Sequence, residues 1–278
     1  MFRLSKHCFL LYNTLQKGSV KMENRYASRI EKVQMSSIRV VMEKVEKLRS
    51  QGKSVVSLCA GEPDFNTPEG IKKATIEALN DNQTHYSSNR GYLGLRKKVA
   101  HLLKEQTTID YDSDTEIIMT CGCSEAINNV CQAFINKDDE VIIFTPAFVS
   151  YQNTVLLCQG IPVEIPLKLS LGFQIDIEEV KNKITKKTKM IILNNPNNPT
   201  GAVYQKETLE QLCKLARENN ILILADEIYN QLDYENQYVS IASFENMKDY
   251  TIIVNGFSKA YSNDWMANGL YCFKPKTY

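Results

Sequence analysis

The sequence predicts an α/β protein whose mainly parallel sheet lies between layers of helices. Beyond Asp112, short unbroken apolar runs alternate with segments of helical periodicity, the pattern of strands covered on both faces. Four of those segments close on polar residues, at 120–124, 194–201, 226–229 and 255–259; open α/β sheets bind ligands outside the carboxyl ends of their strands, so the four could line one crevice. At 278 residues, 43% hydrophobic and 23% charged, the chain is long enough for one large domain with appendages.

The first element is SSIRVVMEKVEKLRSQGK, from residue 36, where Ile38, Val41, Met42, Val45 and Leu48 recur at helical spacing between a serine cap and Gly52. VVSLCAGEPDF should follow as a short strand entering a turn, and Thr67-Pro68-Glu69 should cap and open a helix through Leu79. A loop at 85–91 leads to a helix near 93–104. Then come the strand EIIMT, a helix over 124–135, the strand EVIIF, a helix near 150–157 and a strand near Val163. KMIILN, a helix over 206–218, ILILAD and TIIVNG complete the series.

The net charge of +1 provides no field that would gather nucleic acid or an anionic membrane. No run approaches the roughly 18 apolar residues of a membrane-spanning helix, so a soluble protein is expected. The cysteines, at 8, 59, 121, 123, 131, 158, 213 and 272, include Cys121-x-Cys123 with no second pair at zinc-site spacing; no metal is expected, and a reducing compartment is. Residues 1–22 carry Arg3, Lys6, Lys17 and Lys21 and no acid before Glu23. They form a basic extension that either precedes a later start at Met22 in a cytoplasmic protein or resembles a mitochondrial transit peptide.

Three of the strand ends bear candidate chemistry. TCGCSEAINN runs from strand through a glycine turn into a helix, leaving backbone N–H groups of Gly122, Cys123 and Ser124 for an anion, or else forming an ordinary serine-capped helix start. Asp226 follows ILILA at the edge of the core, where an unpaired charge is costly; it either meets a cation or caps the next turn. Lys259 follows TIIVNG and a short turn that aims its amine at the crevice, where partial desolvation would favour the neutral nucleophile over an ordinary solvated lysine.

The ordered set GEPDFNTP, HYSSNRGYLGLR, TCGCSEA, FTPAFVSY, NNPNNPTGAVY, ADEIYNQL and NGFSKAY, spread over roughly residues 30–262, resembles the class I aminotransferases, fold-type-I enzymes dependent on pyridoxal 5'-phosphate (PLP), in their bacterial-type aspartate and aromatic branch. The resemblance implies the PLP-dependent transferase large domain over 67–278, preceded by an arm and helix over 23–66. It implies that Lys259 carries PLP and moves the substrate proton, that Asp226 pairs with the ring nitrogen, and that Asn198 and Tyr229 bond the ring oxygen. By the same resemblance Phe148 stacks on the ring, while Gly122, Cys123 and Ser124, with Ser258, hold the phosphate. Gly61 and Asn198 border the substrate, and Tyr86 reaches the cofactor of a second subunit in a homodimer.

Two departures follow the lysine. The family run of Met-Thr-Gly-Trp-Arg-x-Gly-Tyr type contains a phosphate-binding arginine, whereas this chain has Asn263-Asp264-Trp265-Met266-Ala267-Asn268-Gly269. The loss of such a contact costs about 1.5–3 kcal/mol, and weaker cofactor binding is expected. The family's small C-terminal domain, with its arginine for the substrate carboxylate, has no counterpart before Tyr278, so exposed apolar surface and poor solubility are expected. Amino transfer between an amino acid and a 2-oxo acid is the leading expectation; a β-lyase and a catalytically impaired fragment are the alternatives.

Overall fold

A computed structural model of the chain describes residues 27–33, 37–58, 61–263 and 268–274. The basic extension, the serine at 36 and the stretch 264–267 with Met266 and Ala267 lie outside the described residues. The chain divides into two compact units, Met1–Val33 and Gln34–Tyr278. In the first, Ser28–Lys32 forms a 3-10 helix.

The second unit contains seven α-helices among its described residues: α1 (Ser37–Ser50), α2 (Glu69–Asn80), α3 (Leu93–Thr107), α4 (Cys123–Phe134), α5 (Ser150–Leu157), α6 (Ile177–Lys183) and α7 (Lys206–Glu218). Its strands are β1 (Ile117–Cys121), β2 (Glu140–Thr145), β3 (Ile161–Pro166), β4 (Thr188–Asn194), β5 (Leu222–Asp226), β6 (Thr251–Gly256) and β7 (Asn268–Cys272). They form one sheet in the order β1-β7-β6-β5-β4-β2-β3. The pairs β2–β3, β2–β4, β4–β5 and β5–β6 are parallel, and β7 is antiparallel to both β1 and β6. Two reversals leave β1 running in the direction of β6, so the ends of β1, β4, β5 and β6 lie along one edge.

Strand side chains alternate between faces, and each face has its own core. Ile142, Phe144, Ile191, Leu193, Ile223 and Ala225 pack against Leu209, Leu212, Cys213 and Ala216 of α7. Val141, Ile143, Met190, Ile192 and Leu224 pack against Ala126, Ile127 and Val130 of α4 and Tyr151 and Val155 of α5. Val99 and Leu103 of α3 cover Ile117, Ile253, Leu270 and Cys272. At about 1.5–3 kcal/mol for each large aliphatic side chain fully buried, these two-sided contacts are what hold the parallel strands together.

Three local expectations are corrected. Residues 53–58 form no strand, and Val56 and Leu58 are 85% and 93% exposed, because β-forming residues need a ladder partner and this segment lies off the sheet. Thr67 does not cap α2: the N-cap is Pro68 without a side-chain bond, and the Thr67 hydroxyl donates instead to the Ser262 carbonyl at 2.5 Å. The start of α4 is not serine-capped either, since Gly122 occupies the N-cap. Strand β7 and helix α6 were not foreseen. Among the described residues, no helix is long and apolar enough to cross a membrane.

Candidate active site

The period-two alternation that buries Leu224 toward α4 and α5 directs Asp226 to the same side. There the Tyr151 hydroxyl donates to Asp226 Oδ2 at 2.6 Å, and the Ile228 amide donates to Oδ1 at 3.3 Å. The carboxylate therefore does cap the following turn, and one oxygen is used for that. Among the described residues it has no ion pair; burial pushes its carboxyl up to about 6 against both hydrogen bonds. Glu227, the next residue, is also buried, accepts from Ser240 Oγ at 2.7 Å, and is raised by burial to about 7.

Asn194, opposite Asp226 in the ladder between β4 and β5, braces the crevice. Its Nδ2 donates to the Asp226 carbonyl at 3.0 Å, and its Oδ1 accepts from the Asn198 amide at 2.7 Å. Asn198 Nδ2 in turn donates to the Tyr229 hydroxyl at 2.8 Å. Cis bonds precede Pro146, Pro196 and Pro199 in the loops after β2 and β4.

The turn between β1 and α4 is set by Gly122, whose φ of 82° and ψ of 164° suit glycine. The Thr120 hydroxyl donates to the Gly122 carbonyl at 3.0 Å, and the Cys121 amide donates to Glu125 Oε2 at 2.5 Å. The Cys123 thiol points away from the turn's open side and donates to the Asn255 carbonyl at 3.1 Å; burial, then the nearby Asp226 charge, pushes it well above the usual thiol range. Backbone N–H groups in the first turn of α4 have no intrahelical acceptor and lie at the positive end of the helix dipole, an arrangement suited to an anion.

Lys259 and Ser258 are half-buried in the turn after β6, and Lys259 Nζ donates to the Gly61 carbonyl at 2.9 Å. Two residues far apart in sequence and both expected at the site are thus brought together. Phe148 follows β2 and meets the Tyr151 ring edge to face, centroids 5.7 Å apart. Tyr86 is fully exposed, away from these contacts. Sequence reasoning missed Tyr151 and Asn194. The first had a signal in its placement at the start of the helix expected near 150–157, with a polar tip that a buried tyrosine must satisfy; the second lay in the recognised NNPNNPTG run.

Residues 53–263 match the family described as aminotransferase class I and II. The chain is 37% identical over 260 residues to a probable aspartate/prephenate aminotransferase of Aquifex aeolicus, covering 92% of this chain and 65% of that protein. It is 39% identical to the aspartate aminotransferase of Bacillus sp. strain YM-2, covering 87% and 62%. The Thermus thermophilus aspartate aminotransferase solved with maleate superposes with a TM-score of 0.87 at 37% identity, covering 90% of this chain and 65% of that one. The chain thus spans less than two thirds of the length of these relatives. On the match of sequence and fold, it belongs to the class I and II aminotransferase family.

Proposed function

We propose that this chain holds PLP at the ends of β1, β4, β5 and β6 and acts as an aminotransferase, exchanging an amino group between an amino acid and a 2-oxo acid. The observation that carries this reading is Asp226. A core carboxylate with two hydrogen bonds, no ion pair among the described residues and a carboxyl raised by burial fits the protonated ring nitrogen of that cofactor.

When bound, PLP supplies an electron sink for charge developing at the substrate's α-carbon. Asp226 would keep the proton on the ring nitrogen. Lys259 Nζ would be the point of covalent attachment and would carry the proton to and from the α-carbon. Asn198 and Tyr229, already bonded to each other, bind the ring oxygen, and Phe148 covers the ring face. Gly122, Cys123 and Ser124 bind the phosphate through backbone N–H groups, assisted by Ser258, while Gly61 and Asn198 border the substrate.

The names of the relatives favour amino transfer over β-elimination and an aspartate-like or aromatic substrate. Exposed Val56, Leu58 and Phe65, with fully exposed Tyr86, support a homodimer in which Tyr86 reaches the second copy's phosphate. Free cysteines at 121, 123, 131, 158, 213 and 272 support a reducing compartment such as the cytoplasm.

The test is to titrate the chain with PLP, reduce with borohydride and map the modified peptide, then assay amino donors with 2-oxoglutarate. A pyridoxyl group on Lys259 and 2-oxo acid formation from aspartate or an aromatic amino acid are expected. Labelling confined to other lysines would refute the reading.

A further inference from the structure

We infer that Gly269 of β7 is a positioning residue for the phosphate-binding turn, the seat against which Gly122 and Cys123 rest. The inference rests on the PLP reading given above and concerns a residue outside the turn. Gly269 lies opposite Thr120 of β1 on one side and opposite Gly256 of β6 on the other. It therefore stands between the strand that leads into the phosphate turn and the strand that leads into the Lys259 turn.

Nothing larger than hydrogen fits there. A Cβ at Gly269 would overlap the carbonyl carbon of Gly122 and lie 2.6 Å from both Gly122 O and Cys123 N. All three are backbone atoms, so no side-chain rotation relieves the overlap. Restoring ordinary contact requires the turn or β7 to move by on the order of 1 Å, a displacement that can cost about a hundredfold in a positioned site. The turn is otherwise fixed by the Thr120 hydroxyl on the Gly122 carbonyl and the Cys123 thiol on the Asn255 carbonyl, so the displacement would fall on the N–H groups of residues 122–124. The Tyr151–Asp226 bond joins α5 to the end of β5, the Asn198–Tyr229 bond joins the loops after β4 and β5, and neither involves Gly269.

The test compares PLP with pyridoxal, which lacks the phosphate, by the concentration that half-labels Lys259 after borohydride reduction and peptide mapping. The wild-type chain should label at lower PLP than pyridoxal concentration. Gly269→Ala should raise the PLP concentration at least tenfold and leave that for pyridoxal within twofold. Gly160→Ala is the packing control: its Cβ would meet Ile135 Cγ2 at 2.8 Å and Val155 Cγ1 at 3.0 Å, and it should leave the PLP preference unchanged. Equal loss for both aldehydes in Gly269→Ala, or no change in either, overturns the inference. If that variant does not fold, Thr120→Val carries the test: loss of the hydroxyl that holds Gly122 should weaken PLP labelling at least threefold with pyridoxal unaffected, and an unchanged preference overturns it. A wild-type chain with no preference for PLP would instead defeat the phosphate-turn reading itself.

Discussion

The Tyr151 hydroxyl and Asp226 Oδ2 share a fully buried hydrogen bond of 2.6 Å. Burial drives the Asp226 carboxyl upward and the phenol opposes it, so Tyr151→Phe should leave more of the carboxyl protonated at neutral pH. Hydrogen bonds to charged groups contribute about 1.5–3 kcal/mol; a loss of PLP affinity of roughly tenfold or more is expected at pH 6.5. The deficit should shrink at pH 8.5, where Asp226 ionises without help. Affinities measured at the two pH values decide the matter, and a pH-independent deficit would contradict it.

Asp226 and Glu227 also set the acid–base behaviour of the cofactor-free chain. Both carboxyls are raised by burial, from 3.8 to about 6 and from 4.5 to about 7. The folded state then binds protons more tightly than the unfolded state, so stability is greatest below about pH 4 with respect to these groups and falls as pH rises toward 7. Asp226→Asn should stabilise the cofactor-free chain at pH 8 and not at pH 4.5, by on the order of 1–3 kcal/mol, and Glu227→Gln should do the same. Thermal melts across that range test it; a gain of equal size at both ends would show another cause.

Asn194 uses its side chain to bond the Asp226 carbonyl and the Asn198 amide. The Asp226 carbonyl also accepts from the Asn195 amide at 3.1 Å, so truncation leaves the Asn198 amide as the main orphan. Asn194→Ala should cost about 1–3 kcal/mol in urea unfolding and reduce Lys259 labelling by PLP. Full labelling at wild-type concentrations would show that the brace does not shape the site.

By the resemblance drawn from the sequence, an arginine is expected after the lysine where this chain has Met266 or Ala267. A charge-assisted contact to phosphate contributes about 1.5–3 kcal/mol, so Ala267→Arg or Met266→Arg should tighten PLP binding roughly ten- to a hundredfold. Binding titrations of the two variants should show the gain in one of them and no gain for pyridoxal.

Cys121 and Cys123 are two residues apart and face different surroundings. Cys121 is exposed, whereas Cys123 is half-buried, its thiol donates to the Asn255 carbonyl and its ionisation is suppressed by desolvation. Thiolate reactivity follows exposure and ionisation. Peptide mapping after brief alkylation should find Cys121 modified and Cys123 unmodified until the chain is unfolded.

What could be recognised in the sequence was local or strongly periodic. Helix α7 occupies Lys206–Glu218 as its amphipathic spacing requires, and the apolar runs before Asn194, Asp226 and Asn255 are buried strands. Strand β7 escaped notice because it is short, contains Gly269, and is defined by partners, Ile117–Cys121 and Ile253–Gly256, that are not its neighbours in sequence. The Thr67 hydroxyl was assigned to a nearby helix end because its acceptor, Ser262, is 195 residues away. Residue types at the crevice were legible; the direction of Tyr151 and the bracing by Asn194 depend on how α5 and β4 pack, which side-chain chemistry alone does not specify.

The position of β7 has a consequence for the order in which the protein is made. Among the described residues strand β1 pairs only with β7, and β7 is the last strand in the order β1-β7-β6-β5-β4-β2-β3 to leave the ribosome. Until it does, β1 and the turn at Gly122 have no ladder partner on that side, while β2 to β6 can already assemble as a parallel block. The nascent chain thus carries an open strand edge, a site for mispairing with other chains, and the late arrival of five residues both closes that edge and places Gly269 under the turn.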